Sequence, residues 1–254
     1  MKFTADPMKT ALALLAAVTI AWPLGGALAA KLPAVEQSAS ERAMTAEEAL
    51  SAAEGERAAL AAEVNVARLS DHRRNRSVRL TAAERRSVKR FDEMEAKIGF
   101  WKDVVELKTA LASLHGGSPP AGATAEADAI ARSLVGKTYE LTREWGIGGS
   151  ALIHNALINS GKKKKGFCYH FAAELKKTVA ALKPSWFEPR WGSAWEGTFR
   201  ESNALVVVAR GAPFEAGIAF DPWRTAGRPF WTPVKGDRFP WVEGFDVEKN
   251  YEVE

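Results

Sequence analysis

Tryptophan is spread so unevenly along this chain that its two halves cannot build the same kind of core. Seven of the nine tryptophans stand at or after Trp145: Trp145, Trp186, Trp191, Trp195, Trp223, Trp231 and Trp241. From Lys31 to Lys97 the only aromatic residue of the Phe, Tyr or Trp type is Phe91, in a background of Ala, Glu and Arg. Aromatic side chains bury the largest areas, so the main core is expected in the C-terminal half. The N-terminal half must then be helical, extended, or both. The hydrophobic content of 46% and charged content of 26% are those of a folded protein, which excludes a wholly disordered chain.

The first thirty residues have a separate reading. Lys2 and Lys9 precede an apolar run from Ala11 to Trp22, Pro23 and Gly25-Gly26 break it, and Ala27-Leu28-Ala29 offers a small-residue cleavage site. That order is a secretory signal peptide over residues 1–29. The run is shorter than the ~20 residues needed to span a bilayer. The expected location is therefore periplasmic or secreted, the alternative being an inner-membrane anchor formed by the uncleaved segment.

Two capping boxes start helices in the arm expected at residues 30–115. Thr45 with Glu48 begins one running to about Leu69, and Thr81 with Glu84 begins another. The second carries Phe91, Met94, Ile98, Trp101, Val105 and Leu111 as an approximate helical stripe. Asp71 to Arg79 reads as a loop, and Gly116-Gly117-Ser118-Pro119-Pro120 opens a linker placed at 116–124. Nine basic side chains lie between Arg68 and Arg90 against only Asp71 and Glu84. They can contact an anionic surface or form a solvated helix face. The net charge of +4 is too balanced to suggest nucleic acid.

The C-terminal domain is expected over 125–254. Helices are predicted from Ala125 to about Thr142 and from Ser150 to Asn159, followed by the lysine run Lys162–Lys165. The single cysteine, Cys168, then opens a helix whose apolar side carries Phe171, Leu175 and Leu182. A helix start favours thiolate through unpaired N–H groups and the helix dipole, which marks Cys168 as a candidate nucleophile. A small buried core residue is the other reading. Strands are predicted at Asn203–Ala209 and Gly217–Phe220, the second closed by Asp221-Pro222-Trp223-Arg224. Short Pro-bounded extended pieces follow at Phe230–Val234 and Phe239–Val242. One cysteine excludes intramolecular disulfides and cysteine-rich zinc sites. The four histidines (His72, His115, His154, His170) show no metal-ligand spacing, and no Gly-rich phosphate loop is present, so no cofactor or metal is implied.

Gly166-x-Cys168 at a helix start, then a strand, a turn and a strand ending in Asp221-Pro222, resembles the transglutaminase-like branch of the papain-type cysteine fold. The segment from Ser150 to Val234 is also similar to exported bacterial proteins of this type. The resemblance implies an α+β domain with helices packed on a small, mainly antiparallel sheet. It also implies Cys168 as nucleophile, a His on the first following strand and Asp221 to orient it. The matching strand position holds Ser202 beside Asn203, and no His follows His170. A hydroxyl cannot serve as the missing base at neutral pH. His170 lies two positions from Cys168 and points elsewhere on the helix, while His154 could approach only through tertiary folding. Three functions stay open at this point. One is a degenerate domain that binds a peptide, protein or cell-wall component near Ser202, Asn203, Tyr169 and Trp223. The second is an active thiol amidase or acyl transferase with His154 recruited as base. The third is a structural protein of the cell envelope assembling through its arm. The sequence leaves the oligomeric state open.

Overall fold

A computed structural model describes residues 37–63 and 79–244. The expected signal peptide, residues 71–78 of the expected loop and the part of the basic stretch from Arg68 to Arg76 lie outside the described residues. The fold is α+β, with six helices and one open antiparallel sheet of five strands among the described residues.

Helix α1 (Ala39–Ala43) is opened by a capping box in which Ser38 accepts from the Glu41 N–H and Glu41 reaches back to the Ser38 N–H. Helix α2 (Ala46–Glu63) and the long α3 (Ala82–Ser113) follow, the latter capped reciprocally by Thr81 and Glu84 as their spacing predicts. Ile98, Trp101 and Leu111 of the expected stripe are buried, with Phe100, Val104 and Leu107 beside them. Phe91 and Met94, nearer the start of α3, are only half-buried.

Helix α4 (Ala121–Glu144) begins immediately after Pro120, so residues 121–124 of the expected linker form its first turn. Proline ends the preceding extended segment and leaves no N–H to satisfy. Gly122 lies in that turn because a Cβ there would stand 2.8 Å from Nε1 of Trp186. Glu126, one turn on, accepts from the backbone N–H groups of Ser185, Trp186 and Phe187 at 2.7, 2.8 and 3.0 Å. That one carboxylate fixes where the sheet starts. The short α5 (Ala151–Asn159) and then α6 (Cys168–Ala181) complete the helices.

The strands are β1 (Phe187–Ala194), β2 (Ser202–Ala209), β3 (Ile218–Phe220), β4 (Trp231–Pro233) and β5 (Val242–Glu243), ordered β4-β3-β2-β1-β5. The sequence reading did not foresee β1, which contains Pro189 and Gly192, both poor strand formers. Pairing with β2 from Phe187↔Ala209 to Ala194↔Ser202 holds it, and β5 covers only Gly192 and Ser193 on its other side. β2 is buried over its whole length. Its alternate residues face two different surroundings. Leu205 and Val207 meet Phe171, Leu175 and Val179 of α6. Ala204, Val206 and Val208 meet Phe214, Val234 and Trp241 from the loops. The α6-side core runs without interruption from Ala46 through Trp101 and Ile130 to Phe220, so the N-terminal helices and the sheet share one apolar interior. No helix among the described residues is long and apolar enough to cross a membrane.

Candidate functional site

Cys168 is the first residue of α6 and is 9% exposed. The turn before it depends on Gly166, whose φ of +122° suits glycine. A Cβ there would also lie 2.2 Å from Nε2 of His154. Around the sulfur stand the backbone N–H of Asn203, its carboxamide, and the backbone N–H of Tyr169, all of which favour thiolate. Burial outweighs them and, with the nearby charge of Asp221 acting in the same direction, lifts the thiol to about 11. The magnitudes explain the outcome. A helix N-terminus contributes ~0.3–2 kcal/mol, about one pKa unit, whereas full burial can move a group by about 3–5 units.

Asn203, not Ser202, faces the thiol. Side chains alternate along β2, so Ser202 shares the opposite face with Ala204 and Val206, and its Oγ is buried without a hydrogen-bond partner. Ser202, expected beside Cys168, therefore lies on the face of β2 turned away from it, and Asn203 takes the place next to the sulfur. Asn203 is held rigidly. Its Oδ1 accepts from Trp191 Nε1 at 2.9 Å and from Ser193 Oγ at 3.1 Å, and its Nδ2 donates to Glu201 Oε1 at 3.1 Å. The two donors at Oδ1 fix the amide orientation. Sequence reasoning missed Trp191 and Ser193 because it missed β1, and it did not single out Glu201, which stands just before β2. The available signal was Trp191-x-Ser193, two residues whose period-2 spacing puts them on one strand face.

Asp221 follows β3, where its N–H donates to the Phe230 carbonyl at 2.9 Å. Its carboxylate is engaged by a cation. Arg224 Nε donates to Oδ2 at 3.4 Å, while Oδ1 is buried without a hydrogen-bond partner. Burial pushes this carboxyl up to about 6, against the pull of Arg224. The Arg224 fork donates to both oxygens of Asp237 at 3.0 and 2.8 Å, and Trp241 Nε1 donates to the same carboxylate at 2.7 Å. The Arg224 guanidinium also lies over the Phe239 ring at 3.8 Å.

Neither nearby imidazole is aimed at the sulfur by its hydrogen bonds. His154 is buried on α5, and its Nε2 pairs with the Lys165 carbonyl at 2.9 Å. A carbonyl only accepts, so Nε2 donates, while Nδ1 is buried without a hydrogen-bond partner. His154 thus braces the turn that presents Cys168. His170 Nδ1 accepts the N–H groups of Gly166 and Phe167 at 3.1 and 3.2 Å, capping the start of α6. Burial, with the charge of Lys165, lowers its pKa to about 4, so this cap is neutral at pH 7. His115 lies at the far end of β1, edge-on to Phe187 at 4.9 Å. Tyr169 is stacked on Phe167 at 5.5 Å. Trp223 donates from Nε1 to Asn155 Oδ1 at 3.1 Å, tying α5 to the segment after Asp221. No group of three His, Cys, Asp or Glu side chains converges as a metal site among the described residues.

Comparison with protein-family models, curated proteins and solved structures gives no match. The chemistry of the site is thus argued from its own atoms. A thiol at about 11 is almost entirely protonated at pH 7, and a carboxamide cannot remove its proton.

Proposed function

We propose that this chain is an exported, transglutaminase-like domain that has lost turnover and binds a peptide or cell-envelope component. One observation carries the reading: the position facing Cys168 holds the carboxamide of Asn203, locked by Trp191 and Ser193. Its Oδ1 already accepts two hydrogen bonds and the residue is 2% exposed, so the carboxamide is a fixed wall of the site that does not titrate. It cannot cycle a proton between thiol and leaving group. The Asp221–Arg224–Asp237 bridge supports the same reading, because it engages the carboxylate that an active site of this type would turn toward an imidazole.

Alkylation of Cys168 in the folded chain, followed against pH, tests the retired nucleophile. Iodoacetamide labelling at pH 7 is expected to be far slower than for a free thiol of pKa ~8.5. Rapid labelling near pH 6 would overturn the reading in favour of an active thiol enzyme. The base position is tested by substitution. Asn203→His is expected to speed alkylation at pH 7 by tenfold or more and to give measurable amide hydrolysis or transfer. Ser202→His is expected to give neither. It is also expected to cost ~1–3 kcal/mol by burying an imidazole in the Val206–Trp241 cluster. A folded, inert Asn203→His chain with unchanged labelling would show that the thiol and this strand position do not make a catalytic pair. Sedimentation with purified cell-wall sacculi tests binding, which should survive Cys168→Ala. Absence of binding by the unaltered chain would remove the wall as the ligand.

A further inference from the structure

The end of the sheet that carries Cys168 is also where apolar side chains project into solvent. The loop from Trp195 to Glu201 joins β1 to β2 at the Ala194↔Ser202 end, and Phe199 at its tip is 98% exposed. Helix α5 is tied to the same end through Asn155 and Trp223, and it exposes Leu152 (73%) and Ile153 (60%). Loop tips and short helices do not ordinarily leave three large apolar residues in water at one end of a molecule.

Positive charge accompanies them. Between Lys162 and Lys165, and between Trp195 and Glu201, the chain places five basic residues (Lys162, Lys163, Lys164, Lys165, Arg200) against two acidic ones, Glu196 and Glu201. Helix α5 itself carries no charged Asp, Glu, Lys or Arg. Lys163 donates to the carbonyls of Trp145 and Gly146, which pins the lysine loop beside α5. Lys162 and Lys164 remain exposed. Glu201 is occupied by the Gly197 N–H and the Asn203 amide.

We infer that this end of the molecule docks on an anionic lipid surface. The apolar groups there project outward instead of lining a groove. A peptide or small ligand needs concavity to bury its surface, and a pocket of about 430 Å³, lined by Glu215, Val234 and Trp241, opens on the face of the sheet away from α6, where its Phe239 packs on Trp195 at the foot of this loop and not on Phe199 or α5. Projecting Leu, Ile and Phe side chains flanked by lysines match a bilayer interface, where the rings and branched chains enter the acyl boundary and the ammonium groups meet phosphate. Docked in this way, the chain would hold the Cys168–Asn203 site close to the membrane.

Hydrogen–deuterium exchange of the full chain, resolved peptide by peptide, tests this surface separately from the apolar run at residues 11–22. With vesicles of phosphatidylcholine containing phosphatidylglycerol, amides in 150–166 and 195–201 are expected to exchange several-fold more slowly than without vesicles. Pure phosphatidylcholine should give no such protection. Lys162→Gln with Lys164→Gln should weaken binding about thirtyfold, and Phe199→Ser, at a side chain that touches little, should reduce the protection without altering the melting curve. Unchanged exchange in both segments on anionic vesicles would overturn the inference, as would equal protection on the neutral ones. Protection by wall-derived peptides and not by vesicles would likewise overturn it and assign this end to a peptide partner.

Discussion

At the residue scale, Cys168 shows two opposing effects decided by magnitude. Its place at the first residue of α6 favours thiolate, and its surroundings remove the water that thiolate needs. His170 is the counterpart on the same turn. As a neutral imbibing acceptor it takes two backbone N–H groups, the role a Ser or Asp usually fills near a helix start. His170→Ala is expected to cost ~1–2 kcal/mol at pH 7, read from urea unfolding. Its folded pKa is depressed to about 4, so the unfolded chain takes up the proton first as pH falls from about 6.5. The stabilisation is lost in that window, and the difference between the variant and the unaltered chain should shrink toward pH 4. A difference that stays constant with pH would show that packing against Trp145, not the cap, is what His170 supplies.

At the element scale, the pairing of α3 with α4 contains a titratable contact that no local spacing marks out. Tyr139 of α4 donates from Oη to Asp103 Oδ2 of α3 at 3.4 Å. Burial pushes Asp103 up to about 7, with Tyr139 and Arg228 pulling down and Glu106 pushing up. A carboxyl raised in the folded state stabilises fully below its unfolded pKa near 4. That contribution is lost as pH rises through about 7. Asp103→Asn keeps an acceptor for Tyr139 and never ionises. Its melting temperature should exceed that of the unaltered chain by a few degrees at pH 8 and match it near pH 4. An equal gain at both pH values would show that the carboxyl does not titrate in this window.

At the scale of the whole molecule, the N-terminal helices and the sheet share one interior. Trp101 lies fully buried in it, edge-on to Phe100 at 5.0 Å and under the Arg132 guanidinium at 4.7 Å. Arg132 in turn donates to the carbonyls of Glu41 and Met44, joining α1 to α4. Trp101→Ala is expected to cost ~3–5 kcal/mol. Helix signal in the far ultraviolet and tryptophan signal from the sheet half should fall together at one shifted midpoint. Two separated transitions would show that the helices unfold independently of the sheet.

What the sequence determined by itself is what depends on near neighbours. The Thr81–Glu84 capping box, the stripe through Ile98, Trp101 and Leu111, the cysteine at a helix start and the two strands around Val206 and Ala219 all follow from spacings of a few residues. The class, helices on a small antiparallel sheet, was implied by the resemblance those elements carry, and the fold has it. What needed the tertiary structure was everything set by contacts distant in sequence. β1 exists because β2 pairs with it, against the local preference of Pro189 and Gly192. The one-residue distinction between Ser202 and Asn203 decides what meets the thiol, and it depends on which face of β2 lies against α6. The pKa of Cys168 reversed the expectation drawn from its helix position, because desolvation is a property of the assembled interior and not of the helix that carries the residue.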